Sequence, residues 1–191
     1  STLPISEFAF SLVPIYEDTY QLLTQTSVFT ANKMDVDSIA LLEPILKKFT
    51  ENYHIHFEED ENLRTIQEQM LTHIEGYLVG PIVVNLGMTG MFHKYFMESS
   101  FRADEFHKHP EAFAKILDFF VHLGWFSKKK DNYQFTEDGF FFAKRASAYG
   151  VTVSYLPMFK HIDSLLFGNA SELRNIAKNE DEIHVNREMN V

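Results

Sequence analysis

Three short stretches, met in a fixed order along the chain, limit what it can fold into. Leu86-Gly87-Met88-Thr89-Gly90-Met91-Phe92 comes first. His109-Pro110-Glu111 then opens an apolar-periodic run that ends at Leu123-Gly124-Trp125-Phe126, and Tyr133-Gln134-Phe135-Thr136-Glu137-Asp138-Gly139 closes the series. Pro110 is at a favoured first helical position, because its missing N–H is one the helix leaves unpaired anyway. Phe113, Ile116, Leu117, Phe120, Val121 and Leu123 then form a wide apolar stripe, and Gly124 is placed to end the helix in a left-handed conformation. Trp125-Phe126-Ser127 and Tyr133-Gln134-Phe135 read as short strands around the charged tip 128–132, a hairpin. Thr136 with Glu137-Asp138 caps a following helix that carries Phe140, Phe141, Phe142, Ala143 and Ala146.

The remainder is also helical in pattern. Tyr16 to Leu23 is a candidate short helix within an otherwise irregular 1–34. Asp37 or Ser38 can cap a helix through Phe49, with Ile39, Leu42, Ile45, Leu46 and Phe49 on one face, and Pro44 inside it predicts a kink or a late start. Tyr53 to Phe57 alternates like a short strand. The acidic run 58–61 opens a helix through Leu63, Ile66, Met70, Ile74, Tyr77 and Leu78, which Gly80-Pro81 is expected to break or bend before the apolar Ile82 to Leu86. Asp104-Glu105-Phe106 reads as one helical turn, and Ser154 to Phe167 as a last long helix. The polar tail from Glu172 has the composition of a poorly ordered segment.

Composition narrows the function classes. The 191 residues leave no room for a large catalytic domain beside these elements. The absence of cysteine excludes disulfides, thiolate metal sites and thiol nucleophiles, and fits a reducing cytoplasm. The longest apolar stretch, Tyr77 to Leu86, is about half of a membrane span and contains Gly80 and Pro81. A net charge of −10 argues against nucleic acid, although residues 101–150 carry eight cations against seven acids, so the acidity lies elsewhere.

Helix, short helix, long helix, hairpin, helix is the winged helix-turn-helix plan: a mainly α fold with a small β-hairpin wing and additional N-terminal helices. If such a domain reads DNA, the helix from Pro110 to Leu123 enters the major groove, where Arg, Lys, Asn, Gln and Ser reach base edges. Its non-core positions are instead Glu111, Ala112, Ala114, Lys115, Asp118 and His122. Only Lys115 is a clear cation. The lysine run 128–130 can touch a phosphate backbone or simply be a solvated tip.

From Val84 to Gly139 the chain resembles the N-terminal winged-helix, or dimerisation, domain of class I S-adenosylmethionine-dependent methyltransferases, especially the small-molecule O-methyltransferases of natural-product biosynthesis. The "LGLF"-like helix is matched by Leu86 to Phe92. The long helix with its Gly-(Leu/Trp) ending is matched by Pro110 to Trp125, and the wing exit by Tyr133, Thr136 and Gly139. The resemblance implies a homodimer, a domain that covers the small-molecule acceptor site of a following catalytic domain, and S-adenosylmethionine as cofactor of the parent transferase. Tyr149, Tyr155, Met158 and Phe159 are its candidate acceptor-pocket residues, with core or dimer packing as the competing use.

No catalytic or cofactor residue is assigned within this chain. A methyltransferase Rossmann unit needs a strand entering a Gly-rich turn, and none of the eight glycines forms a Gly-x-Gly pair. The expected organisation is therefore a helical, dimer-forming extension over 1–60, a winged-helix domain over 61–168, and a linker over 169–191 toward a catalytic domain outside the chain, with 1–191 inactive alone. Two alternatives stay open: a winged-helix transcriptional regulator that binds DNA, and a stand-alone adaptor or small-ligand binder. His54-x-His56 and His107-x-His109 lack a third ligand at a metal-site spacing, so no metal is assigned.

Overall fold

The computed structural model describes residues 35–51, 56–155 and 166–168, with Val13 and Glu17 in addition. Its elements are α1 (Val36–Thr50), α2 (Glu61–Met88), α3 (Lys94–Glu98), a 3-10 turn (Ala103–Glu105), α4 (Pro110–His122), β1 (Phe126–Lys129), β2 (Asn132–Phe135), α5 (Glu137–Ala143) and α6 (Ala146–Ser154). The fold is mainly helical with one antiparallel hairpin. Apart from Glu17, the candidate helix at Tyr16–Leu23 lies outside the described residues, as do the polar tail from Glu172 and most of the strand suggested at Tyr53–Phe57, of which His56 and Phe57 are irregular.

Helix α1 begins earlier than the sequence suggests. Asp35, not Asp37 or Ser38, is the cap: its Oδ1 accepts the Ser38 N–H at 2.8 Å. Pro44 delays nothing, because it and Ala40, whose carbonyl loses its helical partner, are both on the exposed side where water replaces the bond. The opposite face buries Ile39, Leu42, Leu46 and Phe49 along α4.

Helix α2 overturns the expected break at Gly80-Pro81. It runs without interruption from its cap, Asp60, whose Oδ1 accepts from Asn62 and Leu63, to Met88. A proline in a helix interior costs about 3 kcal/mol. Burial outweighs that cost here, since every residue from Leu78 to Leu86 is shielded by the surrounding elements. Asn85 adds a bond from its amide to the Pro81 carbonyl at 2.9 Å. Helix α6 packs along α2 at Gly80, where Tyr149 and Val153 lie in ordinary contact distance of the position a Cβ would take.

The end of α4 explains the Gly-Trp pair. Gly124 has φ +79°, its N–H bonds to the Val121 carbonyl, and the Trp125 N–H bonds to the Phe120 carbonyl at 2.9 Å. This is the Schellman pattern, completed by contact of the Trp125 and Phe120 rings at 5.0 Å. Trp125 is thereby used up as a helix stop, so it lies one residue before β1 and not inside the strand as expected. Tyr133 is within the ribbon, paired with Lys128.

A third, minimal strand joins the wing. Phe101 and Tyr133 exchange both backbone bonds, at 2.9 and 2.8 Å, as an antiparallel bridge. The Phe101 ring is fully buried among Phe106, Phe126, Tyr133 and Phe135 at 5.4 to 6.0 Å, which fixes the wing on the helices. The helix foreseen from Thr136 through Ala146 is two helices, divided at Lys144-Arg145, where each N–H returns to α5, on Phe140 and Phe142. Of the helix expected over Ser154–Phe167, only the two ends are described, and Ser154 closes α6.

The hairpin turns on Lys130-Asp131, with Lys130 at φ +58°. A side chain in that region costs about 1–2 kcal/mol, which glycine does not incur. Lys130→Gly is expected to stabilise the chain by about 0.5–1 kcal/mol, read as a higher urea midpoint with an unchanged m-value.

Candidate functional site

Two surfaces come out of this framework. The first is the face of α4 that a DNA reader presents. Phe113, Ile116, Leu117, Phe119 and Phe120 are buried, leaving Glu111, Lys115, Asp118 and His122 as one narrow exposed strip. Two members of the strip are already engaged. Lys115 donates to Glu43 of α1 at 2.7 Å. Asp118 accepts from Lys128 at 2.6 Å and from the Tyr133 hydroxyl at 2.8 Å, tying helix to wing.

The electrostatics of that triad are those of a structural clamp. Burial lowers the proton affinity of Lys128, but its bonds to Asp118 and Tyr133 outweigh this and its pKa is raised overall. Burial raises the Tyr133 phenol, against the pull of the Lys128 ammonium and with the Asp118 carboxylate adding to the rise. Lys128 therefore stays charged and Tyr133 neutral at ordinary pH, as their hydrogen bonds require. Arg102, Asp104, Glu111 and Asp131 join this triad's Lys128 and Tyr133 around a small mixed-charge cleft of about 200 Å³. Lys129 and Lys130 remain at the exposed tip.

The second surface is a recess of about 470 Å³ where α2, α3 and the α5–α6 junction meet. Val84, Met97 and Ala143 form its buried wall, while Gly87, Met88 and Phe92 are half-buried around it. Lys144 and Ser147, both exposed, stand at its mouth. Among the described residues, no carboxylate lines it.

The candidate acceptor residues occupy different places. Tyr149 is half-buried beside Val84 and Val153, and burial raises its pKa. Tyr155 follows the end of α6 and is 38% exposed. Neither lines the recess, and Met158 and Phe159 lie outside the described residues. Residues the sequence left unassigned, Val84, Met88, Phe92 and Ala143, make the recess instead. The Leu86–Phe92 motif was the available signal for them, since it holds three of the lining positions.

Among the described residues there is no group of three His, Asp or Glu side chains arranged for a metal, and no helix long and apolar enough to cross a membrane. His107 is committed to local structure: its Nδ1 accepts the His109 N–H at 3.0 Å, and its ring stacks on Phe113. The β-structure described is the hairpin with its Phe101 bridge, without a strand entering a glycine-rich turn.

A helix framework with a hairpin that follows α4 and packs against it defines the winged helix class. Residues 75–169 match the family model of the AprA winged helix domain, so this part of the chain is a winged helix domain. No curated protein matches the chain.

Proposed function

We propose that this winged helix is a dimerisation and acceptor-covering domain of an S-adenosylmethionine-dependent methyltransferase, with the cofactor and the catalytic Rossmann domain supplied outside residues 1–191, and that it is not a reader of duplex DNA. The observation that carries the second half is the strip Glu111, Lys115, Asp118, His122. A phosphate-facing surface needs cations that are available, and here two of the four positions are acidic while the one lysine is paired with Glu43. The first half is supported by the resemblance of Leu86–Phe92, Pro110–Trp125 and Tyr133-x-x-Thr136-x-x-Gly139 to the methyltransferase domains, and by an apolar recess of small-molecule size beside the helices.

The alternative of a DNA-binding regulator draws on Lys129 and Lys130 at the wing tip. Electrophoretic mobility of duplex DNA separates the two. The expected result is no shift at low salt up to about 10 µM chain, where non-specific cationic binders already associate. A shift that salt abolishes would establish the regulator. Calorimetry with S-adenosylmethionine is expected to show no heat of binding for 1–191 and tight binding for the full product of its gene. Tight binding by 1–191, or a full gene product without cofactor affinity, overturns the methyltransferase assignment.

A further inference from the structure

We infer that the recess between α2, α3 and the α5–α6 junction is a binding site for a small amphipathic carboxylic acid, with an apolar tail inside and its carboxylate at Lys144. This goes beyond the methyltransferase assignment and does not depend on it. Three features of the recess point the same way. Its size, about 470 Å³, is within the range of small-ligand sites. Its interior is apolar and adaptable, with Val84, Met88, Phe92 and Met97 as walls, two of them the flexible thioethers that fit irregular chains.

Its mouth carries one sign of charge. Lys144 ends α5 with its ammonium 5.5 Å from the Phe140 ring centroid and forms no ion pair with a described residue. Ser147 is on the same rim with a hydroxyl able to donate to a carboxylate oxygen. In a chain of net charge −10, an apolar recess with a cation and, among the described residues, no carboxylate at its entrance favours anions over cations. Arg145 is not a competitor for the ligand, since its guanidinium is over Phe141 at 3.6 Å and bonded to the Phe141 carbonyl.

A reporter is built in. The only tryptophan, Trp125, stacks flat on Phe142 at 4.5 Å, and Phe142 precedes the wall residue Ala143. Titrating the 191-residue chain with decanoate is expected to change Trp125 emission saturably, with one site per chain by calorimetry and a Kd on the order of 100 µM. Lys144→Glu is expected to weaken binding at least tenfold, and decylammonium to bind at least tenfold more weakly than decanoate. Ala143→Leu, which fills the chamber, is expected to abolish the decanoate response while the Lys144→Glu result stands independently of it. Non-saturating uptake, equal affinity for decanoate and decylammonium, or full binding by Lys144→Glu overturns the site. Self-association that Lys144→Glu abolishes and decanoate leaves intact also overturns it, assigning the recess to a second copy of the chain.

Discussion

Gly139→Ala is expected to unfold the wing or cost at least about 3 kcal/mol, since among the described glycines it has the closest approach to another backbone. The added Cβ falls on the carbonyl oxygen of Trp125, lies 2.9 Å from that carbonyl carbon and 3.2 Å from the Phe135 ring. The obstacle is backbone, and it cannot move aside. The Trp125 carbonyl accepts the Thr136 N–H at 3.0 Å, and the Thr136 hydroxyl lies 2.6 Å from the Gly124 oxygen while accepting the Gly139 N–H at 3.1 Å. Moving Gly139 away breaks the cap of α5, and moving Trp125 breaks the stop of α4. Urea unfolding followed by Trp125 emission measures the loss. Gly76→Ala is the matched control: nothing lies within 4 Å of its Cβ position in the exposed part of α2, so the helix propensity of alanine should stabilise by up to about 1 kcal/mol. If Gly139→Ala unfolds at the wild-type midpoint, the close approach of α5 to the α4 stop is wrong.

Phe101→Ala is expected to cost about 3–5 kcal/mol, a fall of roughly ten degrees in Tm for a chain of this size. The residue is 0% exposed and is the only side chain touching both strands of the wing and the Phe106 ring from a segment outside the hairpin among the described aromatic contacts. Truncation removes a ring and leaves a cavity walled by four other rings, three of which, Phe126, Tyr133 and Phe135, are held by the pairing of the hairpin. The backbone bridge to Tyr133 remains, so the wing should loosen more than it dissolves. Amide exchange at Tyr133 and Phe135 should quicken ahead of exchange in α2. A destabilisation below about 1 kcal/mol would show that the wing is not anchored through Phe101.

The sequence carried the elements whose stops are local chemistry. Pro110 starts α4 through its fixed φ and missing N–H, while Gly124 at its end and Thr136 at the start of α5 act through bonds to neighbours a few residues away, and each is where its residue type predicts. What depends on distant partners was not legible. Pro81 looks like a helix breaker until the burial of Leu78 to Leu86 is known, and the Phe101 bridge is a single residue pair with no periodicity to betray it. Trp125 has the look of a strand residue because aromatic residues favour strands, yet the Schellman turn claims it first. The recess is harder still: its walls come from α2, α3, α5 and α6, and no segment taken alone reveals that Met88, Met97 and Ala143 face one space. Of the acceptor candidates, Tyr149 lies half-buried against Val84 and Val153 and Tyr155 follows the end of α6, while Met158 and Phe159 lie outside the described residues.

The clamp formed by Thr136 across Gly124 and Trp125 holds the two ends of the ribbon together at its base, while the Phe101 bridge and Asp118 hold its body on the helices and leave the Lys129-Lys130 tip outside these contacts. Everything between Phe126 and Phe135 leaves and re-enters the helical body through one fixed gate, so extra residues at the Lys130 tip add only the slowly rising entropy of a longer loop. Changes in the length and charge of that tip should therefore leave the helices beneath it in place, which makes it a position where a contact surface can be altered without redesigning the domain.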